Sequence, residues 1–351
     1  MEIAVWDPVL QRDGRSFVDL YREHLDELEV AEECGFHHVW FIEHHFAGRC
    51  ASPSPNLLIA AAAERTSRIR LGTMVNVLPY RNPLILAEEL AMLDNLTNGR
   101  LDIGIGRGVN PADFAHFGVP MSESRERFHE SIDVMCRIWR DEAFTHAGKY
   151  FYVDKPTPLT PPMVQKPYPP LFATAHSDET VRWAAEHDLY FGQLDALISD
   201  CRRSQDLYHD VQVASGYARQ PRLYVCREVY VAESAAEARR DGYPYFQQAW
   251  SLWNRYAQHA RDGLLPESYA AWQRQAPRLA AMSYEEMIDN DLVLVGDPDQ
   301  VASQIARHRR DLDLAILLCM FQPGGMPHEK VVRSMRLFAE EVLPHAERAS
   351  V

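Results

Sequence analysis

Two short stretches of the sequence, residues 43–46 and 104–108, carry the side chains best suited to chemistry. The first reads EHHF and the second reads GIGRG, directly after an apolar run. Closely spaced glycines let a phosphate approach the backbone, and the arginine offers a charged fork for it. A histidine at a strand end can transfer protons near neutral pH, because free imidazole has a pKa of roughly 6.5. These stretches therefore predict an anion site and a proton-transfer group.

Both stretches also have simpler interpretations. GIGRG lacks the GxGxxG spacing of a dinucleotide fingerprint, so a flexible turn with a surface arginine, Arg107, competes with phosphate binding. Adjacent residues of a strand point to opposite faces, so only one of His44 and His45 needs to face a pocket. These two and the nearby His37 and His38 lack HExxH spacing and acidic partners in a helical register, so we predict no metal site.

Two predicted helix starts add candidate anion ligands. Arg125 lies early in one helix, and Ser177 and Thr180 begin another. Free backbone N–H groups and hydroxyls at a helix start form an anion site. Taken singly, Ser177 is better explained as an N-cap and Thr180 as a residue without a special role.

Alternating apolar strands and helices predict the element that positions these residues, a (β/α)8 barrel, whose catalytic groups lie at the carboxyl ends of its parallel strands. The predicted strands are 2–6, 38–42, 69–78, 101–106, 171–175, 189–193, 222–231 and 313–320. The predicted helices are 17–34, 55–63, 83–96, 122–140, 178–187, 195–214 and 328–342. We expect one domain over residues 1–351.

Three stretches depart from this alternation or stand out within it. Residues 144–153 predict a hairpin with its turn at 146–148, and the proline-rich stretch 155–170 predicts an extended connection. Residues 242–290 predict an aromatic-rich helical insertion, which is either a lid over a substrate pocket or an ordinary packed helical pair. Helix 83–96 is apolar enough for a dimer interface, although it also fits a barrel helix packed on its own strands.

Composition excludes several kinds of partner. A formal net charge of -14 argues against nucleic acid and anionic membrane surfaces, which need a basic face. The 6 cysteines form no CxxC pair, so we expect reduced thiols. No signal peptide or apolar run of membrane-spanning length is visible, and we predict a cytoplasmic protein.

Several motifs in order resemble the bacterial luciferase-like flavin monooxygenase family. The matching stretches are ECGFHHVWFIEHHF (33–46), LGTMVNVLPYRNP (71–83), GRLDIGIGRGVNPADFAHFG (99–118), SESR (122–125) and AHSDETVRWAA (175–185), with VGDPDQVASQI (295–305) near the end. The resemblance implies a (β/α)8 barrel that binds reduced FMN at its mouth. It further implies that dioxygen adds to the flavin as a 4a-hydroperoxyflavin, which oxygenates a small apolar organic substrate.

The resemblance also assigns roles to individual residues. It implies that His44 is catalytic, with His45 and Glu43 beside it. The implied phosphate ligands are Arg107, Arg125, Ser177, Thr180 and the backbone N–H of His176. A non-proline cis peptide at Met74-Val75 is implied beneath the flavin ring, with Asn76 and Gly106 at the ring. Gly106 replaces the reactive cysteine of the luciferases, and His176 replaces a glutamate.

The resemblance implies partners as well, and it leaves alternatives open. A separate flavin reductase would supply the reduced FMN, because no NAD(P)H fingerprint is recognisable, and a homodimer is expected. A deazaflavin-dependent hydride-transfer enzyme of the same superfamily is the nearest alternative. A second alternative is a non-catalytic flavin-binding protein. The intact EHHF motif and the presence of both Arg107 and Arg125 argue against it.

Overall fold

Apolar strands followed by helices recur along the chain and wrap into one closed sheet. The computed structural model describes residues 1–140, 143–155 and 158–348, without the side chains of 252, 253, 256, 260, 347 and 348. Pro156 of the proline-rich stretch and the side chains of Trp253 and Tyr256 of the aromatic segment therefore lie outside the described residues.

The strands of the described residues are short and mostly parallel. They are β1 (Glu2–Asp7), β2 (His38–Phe41), β3 (Arg70–Thr73), β4 (Asn76–Val77), β5 (Leu101–Gly106), β6 (His146–Ala147), β7 (Tyr152–Val153), β8 (Leu171–Thr174), β9 (Tyr190–Leu194), β10 (Leu223–Val231), β11 (Val293–Gly296) and β12 (Leu314–Met320). Parallel pairing runs β1-β2-β3-β5-β8-β9-β10-β12 and returns to β1. These eight strands close the barrel, which confirms the predicted fold class.

Helices follow nearly every barrel strand and cover the outside of the sheet. They are α1 (Phe17–Glu33), α2 (Pro55–Ala63), α3 (Pro83–Leu96), α4 (Pro111–His116), α5 (Ser124–Trp139), α6 (Asp178–Glu186), α7 (Ile198–Ala214), α8 (Ala235–Arg261), α9 (Ala270–Ala280), α10 (Tyr284–Asp289), α11 (Pro298–Asp311), α12 (His328–Leu337) and α13 (Leu343–Arg348). Helices α2, α3 and α6 begin where the sequence predicts, because serine or asparagine caps the first turn and, in α2 and α3, proline follows the cap.

The structure corrects several predicted elements. The strand predicted at 69–78 is two strands, β3 and β4, separated by a cis peptide at Met74-Val75. Strand β11, which pairs with β10 outside the closed ring, was not predicted, and α4 was also missed. The hairpin β6–β7 exists, but its turn follows Gly148, because the N–H of Gly148 donates to the carbonyl oxygen of Phe151 across the turn (3.0 Å). The aromatic segment is helical from residue 235 rather than 242.

Large aromatic side chains fill the barrel beneath its mouth. The rings of Trp40 and Phe172 meet edge to face with centroids 4.3 Å apart, and Tyr224 packs beside them. A β-carbon at Gly192 would collide with the Tyr224 ring, so only glycine leaves room for it at that position. This packed layer is the floor on which a ligand pocket can rest.

An ion cluster closes the opposite, amino-terminal end of the barrel. His38 is buried, with Nδ1 2.7 Å from Asp102 and Nε2 2.9 Å from Glu2. Arg70 donates to the same Asp102 carboxylate (2.6 Å). Although burial favours the neutral ring, the hydrogen bonds to Asp102 and Glu2 raise the pKa of His38 to about 9.

This cluster makes stability depend on pH. Because the pKa of His38 is raised in the folded state, its contribution is complete below the unfolded pKa of roughly 6.5 and is lost as pH rises toward 9. We expect the free energy of unfolding to fall by about 3 kcal/mol over this range. In urea titrations His38→Gln should lack this decline, whereas the exposed-site control His187→Gln should retain it. An equal decline in His38→Gln would contradict the assignment.

Within the described residues, no helix is both long enough and apolar enough to cross a membrane.

Candidate active site

The carboxyl ends of the barrel strands surround a cavity of about 690 Å³. Side chains from both halves of the chain line it, including His44, Met74, Arg107, Thr180 and Trp272. The two sequence stretches at 43–46 and 104–108 therefore reach one pocket, through Glu43, His44 and Phe46 of the first and residues 106–108 of the second. A barrel of parallel strands brings them together because every strand ends on the same side.

The two adjacent histidines have different environments. His44 lines the cavity, and burial lowers its pKa, although the charge of Glu43 opposes this shift. His45 is absent from the residues that line the cavity, and its Nε2 lies 2.9 Å from Glu43 while its ring packs on Phe117. The imidazole of His44 is therefore mostly neutral at neutral pH and able to accept a proton.

The Glu43 carboxylate is fully engaged beneath these histidines. Its side chain is 0% exposed. It accepts hydrogen bonds from the Nη2 of Arg81 (3.0 Å) and the N–H of Val77 (3.2 Å), in addition to its contact with His45. With its oxygens occupied in this way, Glu43 anchors the loop after β2 rather than presenting a free base.

The strand end at 73–77 packs directly against the glycine-rich strand β5. The cis peptide between Met74 and Val75 lies here, as the resemblance implied. A β-carbon at Gly106 would collide with the Val75 side chain. The Met74 sulfur accepts a hydrogen bond from the Tyr224 hydroxyl (3.4 Å), which ties this loop to the barrel floor.

Asn76 follows the cis peptide on β4 and is fully buried. Neither its amide oxygen nor its amide nitrogen finds a hydrogen-bond partner among the described residues. Asn76 does not itself line the cavity, although its neighbours Val75 and Val77 do, so its unused amide lies behind the cavity wall.

Arg107 lies between the predicted anion site and the helical segment. Its Nη2 donates to the carbonyl oxygen of Ser268 (3.3 Å), and its guanidinium carbon lies 4.7 Å from the Tyr269 ring centroid. Its Nη1 is buried and has no acceptor among the described residues. Burial lowers the pKa of Arg107, and the charge of nearby Arg125 adds to this effect. An anion at this place would supply the missing acceptor.

The start of helix α6 lies beside Arg107 and carries two of the predicted phosphate ligands, Ser177 and Thr180. Ser177 caps the helix and accepts from the N–H of Thr180 (3.3 Å), and the two hydroxyl oxygens are 3.0 Å apart. Arg125 forms an ion pair with the exposed Glu179, and both residues line a small recess together with Arg107 and Thr180. The residues predicted to bind a phosphate therefore lie close together, and the carboxylate of Glu179 is already paired with Arg125.

His176 lines the cavity just before this helix. Its ring packs against Trp272, with centroids 4.5 Å apart. Burial, with a smaller effect of Arg107, lowers the pKa of His176 to about 4. The neutral imidazole therefore adds no positive charge to the anion site.

The four histidines considered for a metal do not converge. His38 lies at the start of β2 and is paired with Asp102, whereas His44 and His45 follow the end of that strand. Among the described residues, no group of three or more histidine, cysteine, aspartate or glutamate side chains is placed to hold a metal ion.

Among the cavity-lining residues that sequence reasoning missed are Trp6, Asp195 and Glu228. A signal for Glu228 was present, because it interrupts the apolar strand LYVCREVYV at an inward-facing position. Trp6 and Asp195 carry no comparable sequence signal.

Both the sequence and the fold of this chain are similar to those of known monooxygenases. A family model described as luciferase-like monooxygenase matches residues 1–313. The 4-hydroxyprotoasukamycin monooxygenase of Streptomyces nodosus subsp. asukaensis is 30% identical over 339 residues, covering 91% of this chain and 85% of the relative. The oxygenase component of the flavin-dependent trigonelline monooxygenase of Acinetobacter baylyi is 27% identical over 266 residues, covering 72% and 71%.

One solved structure illustrates the likeness of the fold. It is the oxygenating constituent of 3,6-diketocamphane monooxygenase from Pseudomonas putida, a type II Baeyer-Villiger monooxygenase in complex with FMN. It has a TM-score of 0.82 at 23% identity and covers 98% of each chain. At this identity the likeness concerns the barrel alone.

Proposed function

Because the chain belongs to the luciferase-like monooxygenase family, we propose that it is the oxygenase component of a two-component flavin monooxygenase. A separate reductase supplies reduced FMN, and dioxygen and a small apolar organic substrate meet the flavin at the barrel mouth. The observation that carries this proposal is the shared cavity, where an anion site at Arg107 and a neutral imidazole at His44 face the same space.

The anion site fits the phosphate of FMN. Arg107 has a buried N–H group without an acceptor, and the amino terminus of α6 adds the Ser177 and Thr180 hydroxyls. Charged hydrogen bonds of this kind contribute about 1.5–3 kcal/mol each. Met74, Val75, Asn76 and Gly106 would border the flavin ring, and reduced FMN, when bound, would supply the electrons that activate dioxygen.

The protein's own residues exclude water and move the proton. We assign His44 as the acid or base at the cavity wall, with Glu43 and His45 holding its loop in place. The helical segment 235–290 acts as a lid. Supporting this, the Tyr269 hydroxyl donates to the carbonyl oxygen of Gly108 (2.8 Å), which closes the segment over the anion site.

Anaerobic stopped-flow spectroscopy tests this function. We expect the protein, mixed with reduced FMN and then with aerated buffer, to reoxidise the flavin more slowly than free FMN does, because the bound flavin is shielded from water. Reduced riboflavin, which lacks the phosphate, is the matched control and should react as it does in free solution. Reoxidation of FMN at the free rate, together with tight binding of a deazaflavin, would favour the hydride-transfer alternative instead.

We also propose a homodimer formed through α2 and α3. Four apolar side chains on these helices are exposed: Leu57 (74%), Ile85 (58%), Met92 (54%) and Leu96 (48%). Covering such a patch with a second copy removes it from water. Sedimentation velocity should show a dimer for the natural chain and a monomer for an Ile85→Glu, Met92→Glu variant. A natural chain that sediments as a monomer would refute the interface.

A further inference from the structure

A buried glutamate faces the cavity from the wall opposite the proposed flavin site. Tyr224 and Cys226 of β10 point into the barrel, and Glu228 continues this alternation one step nearer the mouth. In the ring of eight strands, β10 stands across from β3, whose end leads into the Met74-Val75 peptide. Glu228 therefore lies on the side of the cavity that a bound flavin would leave open for the substrate. This placement rests on the proposed function.

The Glu228 carboxyl is enclosed and unpaired. The residue is 8% exposed, and its Oε2 has no hydrogen-bond partner among the described residues. Burial, together with the neighbouring carboxylate of Asp195, raises the pKa of Glu228 well above its usual range. This environment favours the protonated form of the side chain, which has an O–H group to donate.

A second unused donor lies on the same wall. Trp6 of β1 lines the cavity, and its Nε1–H is buried without an acceptor among the described residues. Between β10 and β1 lies β12, which contributes Met320 to the lining. Apolar residues such as Leu194 and Met320 also line this part of the cavity, with Asp195 beside Glu228. Two donors without an acceptor here match an organic ligand that presents an acceptor oxygen.

We propose that Glu228 binds a carbonyl oxygen of the organic substrate, with its carboxylic acid as the hydrogen-bond donor and Trp6 beside it. A cationic substrate would need Glu228 to be ionised next to Asp195. A carbonyl compound instead accepts hydrogen bonds from the protonated Glu228 and from the Nε1–H of Trp6. The contact orients the substrate and disfavours a pure hydrocarbon of the same shape, because that ligand leaves both donors unpaired.

Binding of probe molecules to the full chain without flavin tests the proposal. The probes are acetophenone, ethylbenzene and benzyltrimethylammonium, which share an aromatic ring but differ in carrying a carbonyl, no polar group and a cation. Ligand-detected NMR titration should show acetophenone binding about fivefold more tightly than ethylbenzene, as one hydrogen bond implies. Glu228→Gln, which keeps a donor, should retain this preference, and Glu228→Leu should lose it.

The control is Glu233→Leu, an exposed glutamate just beyond the same strand and outside the cavity lining, which should behave as the natural chain does. A preference for acetophenone that survives in Glu228→Leu, or a preference of the natural chain for benzyltrimethylammonium, overturns the proposal.

If Glu228→Leu does not fold, infrared difference spectra between the natural chain and Glu228→Gln test whether Glu228 is protonated. A carboxylic acid C=O band supports the proposal, and its absence refutes it. Neither measurement uses FMN or dioxygen, so a failed monooxygenase assay leaves this test intact.

Discussion

Replacing His44 by alanine should lower the turnover of substrate oxygenation by about 10²- to 10⁴-fold, the usual contribution of a positioned acid or base. His44 lines the cavity, and burial holds its pKa below the usual value, so the neutral ring is available at neutral pH. Because the base must be neutral, the acid limb of the pH profile should lie below pH 6.5 or so. Affinity for reduced FMN should change little, since the anion site is formed by other residues.

The measurement is substrate-dependent oxygen consumption with product detection by mass spectrometry, after screening aldehydes, ketones, alkanes and sulfonates for a substrate. His45→Ala is the matched comparison, because it removes the adjacent ring, which is bound to Glu43 and does not line the cavity. The loss of turnover in His45→Ala should be smaller than in His44→Ala, and this variant should also have a lower thermal stability. Equal losses in the two variants would contradict the different roles assigned to them, and normal turnover in His44→Ala would remove that residue from the mechanism.

Replacing Arg107 by alanine should weaken binding of reduced FMN by about 100-fold, which corresponds to one or two charged hydrogen bonds. Binding of reduced riboflavin should be nearly unchanged, because it has no phosphate. Fluorescence or absorbance titration under anaerobic conditions measures both. Arg127→Ala is the matched control, since this arginine of α5 pairs with Glu123 and lies over Tyr150, away from the cavity lining. Unchanged FMN affinity in Arg107→Ala would refute the phosphate assignment.

Glu179→Gln should have the opposite effect on the affinity for reduced FMN. The Glu179 carboxylate is ion-paired with Arg125 in the recess proposed for the phosphate, so it repels the phosphate and competes for the arginine. The amide removes the charge but keeps the shape, and we expect tighter binding of reduced FMN with riboflavin affinity unchanged. Weaker FMN binding in this variant would mean that Glu179 organises the site rather than opposing the ligand.

Much of the barrel follows from local sequence. Helix α3 begins at Pro83 and ends at Leu96, as predicted, because Asn82 caps it and its apolar residues recur at helical spacing. By contrast, β11 was missed, since LVLVG follows a long helical segment and its parallel pairing with β10 is a contact distant in the chain. The single strand predicted over 69–78 was wrong because local apolarity does not show where a strand is interrupted; here β3 ends at Thr73 and pairing with β5 resumes at Asn76.

The sequence by itself determined the alternation of strands and helices, the motifs at 43–46 and 104–108, and the place of Ser177 as a helix cap, because each depends on residues close together in the chain. Only the tertiary structure decided which of two adjacent histidines faces the cavity, and that Arg107 meets Ser268, 161 residues away. It also decided that Glu228 is buried among apolar groups and Asp195, which raises its pKa. These features depend on burial and on partners from other strands, and neither is encoded in spacing along one segment.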